Sequence, residues 1–363
     1  MVREPAGEGR LMAHSGDNHS SEFCMLRSLS ASIGADPLLV QGAGGNTSIK
    51  QAGVLWIKAS GTWLKNARDD EIMVPVALAP LLDAVSHRSP AAEAAGQFTL
   101  ADLNPRQLRP SIETTVHALL PQKIVVHVHC VETISIAVQA NAEALLEGRL
   151  RGLDWAFVPY RRPGLPLAQA IAERLKPATN VLVLGNHGLV VAADTVAEAA
   201  LLLQRVTGLL ARQPRPAPPP DLDALLRLAA GSDYRLPAST AAHAVATDLA
   251  SCRIAASGSL YPDHVIFLGV GSVIAGPGEN AAAVVARTAA APTSILFPGK
   301  GVLMRREANA GAEAMARCLA DVVARVDGAA RVNYLSPKEN AELLNWDAEK
   351  YRQQLNREGA TLQ

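Results

Sequence analysis

His127 and His129 flank Val128 in KIVVHVH, a run whose β-branched content predicts a strand. Alternate side chains of a strand share a face, so both imidazoles point the same way. Two neutral imidazoles on one face make half of a tetrahedral or open metal site. An H-x-H pair alone is equally compatible with two ordinary surface or core histidines. His187 is a third candidate, in GNHGLVV, where flanking glycines mark a turn that can aim a side chain and let a ligand approach the backbone. Glu113 is a fourth, in RPSIETTVHALLP, near the start of a helix expected over 111–120 with Ser111 as N-cap and Pro121 beyond its end. A short helix followed directly by a strand can carry Glu113 to the strand's far end, beside His127 and His129. Taken alone, it is an acid favoured by the helix dipole. His117, one turn later on the same face, reads as packing or as support behind the site.

The elements that must position these residues follow from pattern. A helix is expected over 22–33, stopping at Gly34. QGAGGNTSIK reads as a Gly-rich turn, VLWIK as a short strand and ASGTWL as another turn. A strand at 155–159 and a helix at 167–175 lead to VLVLGNHGLVVAA, a hairpin of two apolar strands around 185–188. An amphipathic helix starts at Thr195. PRPAPPP at 214–220 cannot continue a helix and suits a stiff linker. Beyond it, 221–230 and 238–250 look helical, and HVIFLG and SILFPG look like strands. The appended part could extend the same sheet. The expected organisation is therefore a flexible tail (1–20), a metal-bearing domain (21–213), a linker (214–221) and an α/β extension (222–363).

An internal echo supports this division. VLGNHGLVVAADTVAEAALLLQRVTGLLAR and ILFPGKGVLMRREANAGAEAMARCLADVVAR both read strand, G-x-G turn, strand, long helix. Matching Gly188 with Gly301 sets Lys300 opposite His187, as in a partial duplication whose second copy has lost the histidine. His264, in YPDH, and Lys300 could form a small site of their own; the plainer reading is a structural histidine and a solvated turn lysine.

The order N-T-S after a Gly pair, K-A-S-G, S-x-E, H-x-H and N-H-G-L, over 22–212, resembles the class II aldolase/adducin superfamily. The later segment, with YPDHVIFLG, FPGKGVL and LLNWDAEKYRQQLN, is similar to the C-terminal part of aldolase domains fused to dehydrogenases. The resemblance implies a three-layer α/β/α fold with a mixed, largely antiparallel central sheet. It implies zinc on His127, His129 and His187, with Glu113 as catalytic acid/base able to approach or ligate the metal. Gly45, Asn46, Ser60, Gly61 and Ser111 would line the pocket for an anionic end of the substrate. Tyr160 falls where relatives present a proton donor from a neighbouring subunit, which implies a homo-oligomer, dimer or tetramer. Where sugar-phosphate aldolases carry a second phosphate-binding serine, this chain has Ile112. Arg109 could compensate through a fork-like contact or be a surface residue. The implied chemistry is cleavage or formation of a C–C bond in a ketose phosphate or related sugar or keto acid, through a metal-stabilised enediolate. Dehydration and epimerisation use the same intermediate. Three imidazoles and a carboxylate also suit manganese, iron or cobalt.

Global properties narrow the alternatives. With 34 basic and 34 acidic residues, no net field draws the chain to nucleic acid or an anionic membrane. Aromatics at 4% offer few stacking platforms for single strands. The N-terminus has no apolar run of the signal-peptide kind, and the most apolar helical stretch, 195–211, carries Glu198, Gln204 and Arg205. Cys24, Cys130, Cys252 and Cys318 form no C-x-x-C and read as reduced thiols of a cytoplasmic protein. Metallo-β-lactamase-like hydrolases need an Asp-His after H-x-H, and this chain reads CVET there. An amidohydrolase would carry H-x-H near the N-terminus, and a cupin would not have so many helices. The remaining rival is an adducin-like scaffold, which keeps the fold without catalytic residues.

Overall fold

A computed structural model of the chain describes residues 21–346; the expected tail at 1–20 and the end of LLNWDAEKYRQQLN lie outside them. The first unit runs α1 (Ser21–Ala35), β1 (Asn46–Gln51), β2 (Val54–Lys58), β3 (Met73–Ala77), α2 (Leu78–Ser86), α3 (Thr114–Leu119) and β4 (Ile124–Val128). It continues through α4 (Val131–Ala137), α5 (Ala142–Arg149), β5 (Trp155–Val158), α6 (Leu165–Ala172), β6 (Val181–Leu184), β7 (Gly188–Ala193) and α7 (Val196–Leu210). Its seven strands are ordered β3-β2-β1-β4-β7-β6-β5. Every pairing is antiparallel except β5–β6.

Period-two alternation divides the sheet between two cores. Ile124, Val126 and Val128 of β4 pack with Val183 and Val191 under Leu26 of α1, Ile136 of α4, Leu146 of α5 and Leu203 of α7. Val125, with Leu182 and Val190, faces Val116 and Leu120 around α3 and Leu167 and Ile171 of α6, and α2 covers Leu55, Val74 and Val76 beside them. This is a mixed sheet between two helical layers, as the resemblance implied. Thr195 caps α7 through a capping box, its hydroxyl accepting from Glu198 N while Glu198 accepts from Thr195 N.

The second unit holds α8 (Leu222–Ala229), β8 (Tyr234–Arg235), α9 (Ala244–Thr247), α10 (Leu249–Ala256), α11 (Pro262–Leu268) and β9 (Val273–Ile274). It ends with α12 (Ala281–Arg287), β10 (Ser294–Phe297), β11 (Gly301–Arg305), α13 (Ala310–Val323) and α14 (Pro337–Asn345). Its strands do not extend the first sheet but form a separate one, ordered β8-β11-β10-β9. Leu296, Val302 and Met304 on one face join α11 and α13 in a core that also takes Val131 and Ile134 of α4 and Val138 just past its end. Helix α4 thus serves both units, with Ile136 on the first core and Ile134 on the second. Arg215, in the Pro-rich connection, donates to Asp248, Ser251 and the carbonyls of Val323 and Val326, so this stretch is bound down to the second unit.

Several local expectations are corrected. HVIFLG is the helix α11, not a strand. Its residues are buried throughout, and an unbroken apolar run carries no period to separate the two states. The helix expected at 238–250 breaks at Asp248, whose carboxylate accepts from Ala250 N and Ser251 N to start α10. Ser111 does not cap α3, which begins at Thr114. Its Oγ instead accepts from Glu113 N at 3.3 Å in a tight local turn. Only the glycine-rich half of QGAGGNTSIK is a turn; Asn46 onward is β1. The two echoing units do share geometry. Leu184 pairs with Gly188 across one hairpin and Phe297 with Gly301 across the other, each followed by a long helix. Lys300 is exposed in its turn, whereas His264 is fully buried and its Nδ1 accepts from Leu260 N.

Candidate metal centre

The sheet brings the sequence candidates together by register. Asn46 of β1 pairs with His127 of β4, and His127 pairs with Val190 of β7 on the other side. His129 lies one residue past β4, and His187 sits in the β6–β7 turn. That turn fits only because position 188 is glycine: a Cβ there would stand 2.4 Å from the Val128 carbonyl oxygen and 3.3 Å from His127 Cε1. Asn186 takes a left-handed φ of 53°, and its amide donates to the carbonyls of Leu260 at 2.8 Å and Asn333 at 2.7 Å. The turn therefore presents His187 to the site and Asn186 to the second unit.

The imidazoles of His127, His129 and His187 are buried, with ring centroids 4.9–5.2 Å apart. One nitrogen from each lies within 4.8 Å of the others. Glu113, at the N-cap of α3, reaches both flanks: Oε2 is 3.2 Å from His127 Nε2 and Oε1 is 3.4 Å from His187 Nε2. Asn46 Nδ2 donates to Glu113 Oε2 at 2.8 Å and to Ser111 Oγ at 3.1 Å. His127 Nδ1 lies 3.1 Å from the Leu189 carbonyl, which fixes its tautomer and turns Nε2 toward the cluster. His117 packs behind, its Nδ1 2.7 Å from Ser48 Oγ.

The electrostatics prepare this set as lone-pair donors. Burial alone would raise the Glu113 pKa, but the imidazoles of His127, His187 and His129 and the Asn46 amide outweigh it and hold the carboxyl at about 2. Burial pulls His187 down to about 3 against the pull of Glu113 and lowers His127 in the same way. A carboxylate beside neutral His127 and His187 is the protonation state a cation requires. Among the described residues, His127 Nε2, His187 Nδ1 and Glu113 Oε1 are buried without a hydrogen-bond partner. Each such atom costs about 1–3 kcal/mol if left unsatisfied, so His127 Nε2 and Glu113 Oε1, both within the cluster, fit a resident ion.

A small cavity opens onto this cluster, lined by Gly45, Asn46, Ser60, Gly61 and Ser111 together with Glu113, His129 and His187. It adjoins a wider cavity of about 720 Å³ that shares Ser60, Ser111 and Ile112 and includes Arg109 in its wall. Tyr160 does not line the cavity of its own subunit. Its ring packs against the second core and its hydroxyl is buried. Two residues escaped the sequence reading. Lys58, buried at the end of β2, donates to the Ala43 carbonyl at 2.9 Å and lines the cavity; the K-A-S-G motif pointed at it. Asp263, at the start of α11, lies with Oδ2 2.9 Å from His129 Nδ1; it stands in the YPDH run, which draws attention to His264 alone.

A sequence-family model described as Class II Aldolase and Adducin N-terminal domain matches residues 30–212. A Bacillus subtilis (strain 168) protein named uncharacterized oxidoreductase YuxG is 31% identical over 176 residues, 45% of this chain and 25% of that protein. The match thus spans about a quarter of that relative's length. The N-terminal class II aldolase domain of a conserved Thermoplasma acidophilum protein is 28% identical and covers 56% of this chain and 98% of its own, with a TM-score of 0.46. The L-fuculose-1-phosphate aldolase of Thermus thermophilus is 16% identical over 53% of this chain and 93% of its own, with a TM-score of 0.35. Among the described residues, no helix is long and apolar enough to cross a membrane.

Proposed function

The chain belongs to the class II aldolase and adducin N-terminal domain family, and we propose that it is a metal-dependent lyase making or breaking a C–C bond in a ketose phosphate or a related sugar or keto acid. One observation carries the reading: three buried histidines converge with a carboxylate, and several of their polar atoms have no hydrogen-bond partner among the described residues. His127, His129 and His187 would hold the cation, with Glu113 beside it; three imidazoles favour zinc. When bound, the cation supplies Lewis acidity to the substrate's oxygen atoms.

The rest falls to the chain's own groups. Asn46 engages Glu113 Oε2, leaving Oε1 as the atom that takes and returns a proton. Lys58, Ser60, Gly61 and Ser111 line the side of the cavity suited to an anionic end, Lys58 supplying charge and Ser60 and Ser111 supplying hydroxyls. Ile112 contributes no hydroxyl, so that end is a phosphate held by fewer donors or a carboxylate. Tyr160 is left out of this mechanism because its hydroxyl is buried against the second unit. Dehydration and epimerisation call on the same proton chemistry, and product analysis separates them from aldol cleavage.

The test is the metal content of the purified chain beside His127→Ala, with turnover of ketose phosphates and keto-acid aldols by wild type and Glu113→Gln. Close to one divalent ion per chain, lost in His127→Ala, and a Glu113→Gln protein that keeps metal but loses nearly all turnover are expected. A wild-type chain that neither carries nor takes up metal would overturn the lyase reading in favour of an adducin-like scaffold.

A further inference from the structure

The second unit reaches into the candidate metal centre at two nearby points. The Leu260 carbonyl accepts from Asn186 Nδ2, next to His187, and Asp263 Oδ2 meets His129 Nδ1 at 2.9 Å. Both belong to the segment that opens α11, where Tyr261 is the N-cap and Pro262 the first helical residue. Neither lies in the region that defines the family, 30–212. Asp263 and His129 are 2% and 7% exposed, so the contact is shielded from water and is not a surface pair. The chain leaves room for it: a Cβ on Gly44 would stand 2.7 Å from His129 Nδ1 and 3.1 Å from Asp263 Oδ2.

The three histidines differ in what stands behind them. A backbone carbonyl, that of Leu189, orients His127. The partner of His129 is a carboxylate supplied by another unit of the chain. Asp263 is not in the group of ligand atoms within 4.8 Å of one another, which among the described residues consists of the three histidines. It lines the small cavity beside His129, with Oδ2 on the Nδ1 side of that ring. A carboxylate accepting one ring N–H fixes the tautomer and plane of a metal-binding imidazole and makes its other nitrogen a better donor.

We propose that Asp263 is a positioning residue of the metal centre, its carboxylate standing 2.9 Å from His129 Nδ1 and so favouring the proton on that nitrogen, with Nε2 left for the cation. It follows that the second unit completes the centre within the chain. The clasp formed by Leu260 and Asp263 reaches the stretches that carry His187 and His129, so a shift of α11 moves two of the three histidines together. This rests on the metal-binding reading above, and the experiment separates the two.

The full-length wild type, Asp263→Ala and Asp263→Asn are stripped of metal and titrated with Zn2+ against a chromophoric chelator, and the metal-free melting temperature of each is recorded. Asp263→Ala should bind Zn2+ about 10–100-fold more weakly, the usual effect of removing such a partner, with little change in metal-free melting. Asp263→Asn keeps the shape and an acceptor oxygen but not the charge, and should fall between the two. A merely structural role would give the reverse: lower melting temperature and unchanged affinity. If Asp263→Ala does not fold, Asp263→Asn is read in its place. Wild-type affinity in whichever variant folds overturns the proposal while leaving the metal reading intact. A wild type that binds no Zn2+ overturns both.

Discussion

Replacing Gly44 with alanine is the smallest change that tests how tightly the centre is held. The backbone at Gly44 is not in the left-handed region, so alanine brings no conformational penalty and the effect is steric. The added methyl would stand 2.7 Å from His129 Nδ1, where ordinary contact begins at 3.4 Å, a shortfall of about 0.7 Å. It would also stand 3.0 Å from the Gln41 carbonyl oxygen, and Gln41 in turn donates from Nε2 to the His129 carbonyl at 3.3 Å. Moving the strand end away is therefore resisted, and the cheaper response is rotation of the His129 ring off Asp263. A functional constellation tolerates about 0.5 Å of displacement, so the ring leaves its productive position. We expect Zn2+ affinity to fall about 10-fold or more, comparable with loss of the partner behind the histidine. Overpacking should cost about 1–3 kcal/mol of stability. Chelator competition reads the first quantity and urea unfolding of the metal-free chain the second. Wild-type affinity together with the expected stability loss would refute the reasoning, because it would mean that the ring can yield without disturbing the ion.

Two further predictions concern the frame around the centre. Glu132 of α4 accepts from Arg325 Nε at 2.9 Å and from Arg212 N at 2.9 Å, joining the two units through a nearly buried pair. Glu132→Ala should cost about 3 kcal/mol, at the low end for a broken buried pair because Asp321 still faces Arg325; a loss below about 0.5 kcal/mol in urea unfolding, the range of an ordinary surface substitution, would show that water replaces the pair. Burial pulls the Lys50 ammonium down to about 7. Between that value and the ordinary lysine range the unfolded chain binds the extra proton, so this group's contribution is complete above the unfolded pKa and is lost as pH falls through 7. Wild type should gain stability from pH 7 to pH 10 relative to Lys50→Met, and equal slopes in the two would exclude the depressed lysine.

Much of the site was legible because the chemistry lies in local periodicity. A strand's two-residue repeat puts His127 and His129 on one side, and the G-N-H-G run dictates a tight turn. The hairpin then brings His187 beside β4 by register alone, since β7 pairs with β4 directly. Glu113 was placed by the shortness of the α3–β4 connection, although the cap assigned to Ser111 belongs to a turn one step earlier. The resemblance carried the three-layer fold and the glycine- and serine-lined side of the cavity.

The tertiary structure decided what depends on contacts between distant segments. HVIFLG has no polar residue after its histidine to break the tie between helix and strand, and only its burial between α13 and α14 makes it helical. Read as a strand, that stretch puts no carboxylate near the histidines; as α11, it sets Asp263 in the first turn, aimed at His129. The same docking buries the Tyr160 hydroxyl and holds Asn186 against Leu260 and Asn333. The sequence by itself determined which residues were candidates for a metal: local strand and turn geometry offered the histidines, and the family resemblance singled them out. Which residue stands behind His129, and that it comes from the second unit, was decided by how α11 packs, an outcome of apolar burial summed over segments far apart in the chain.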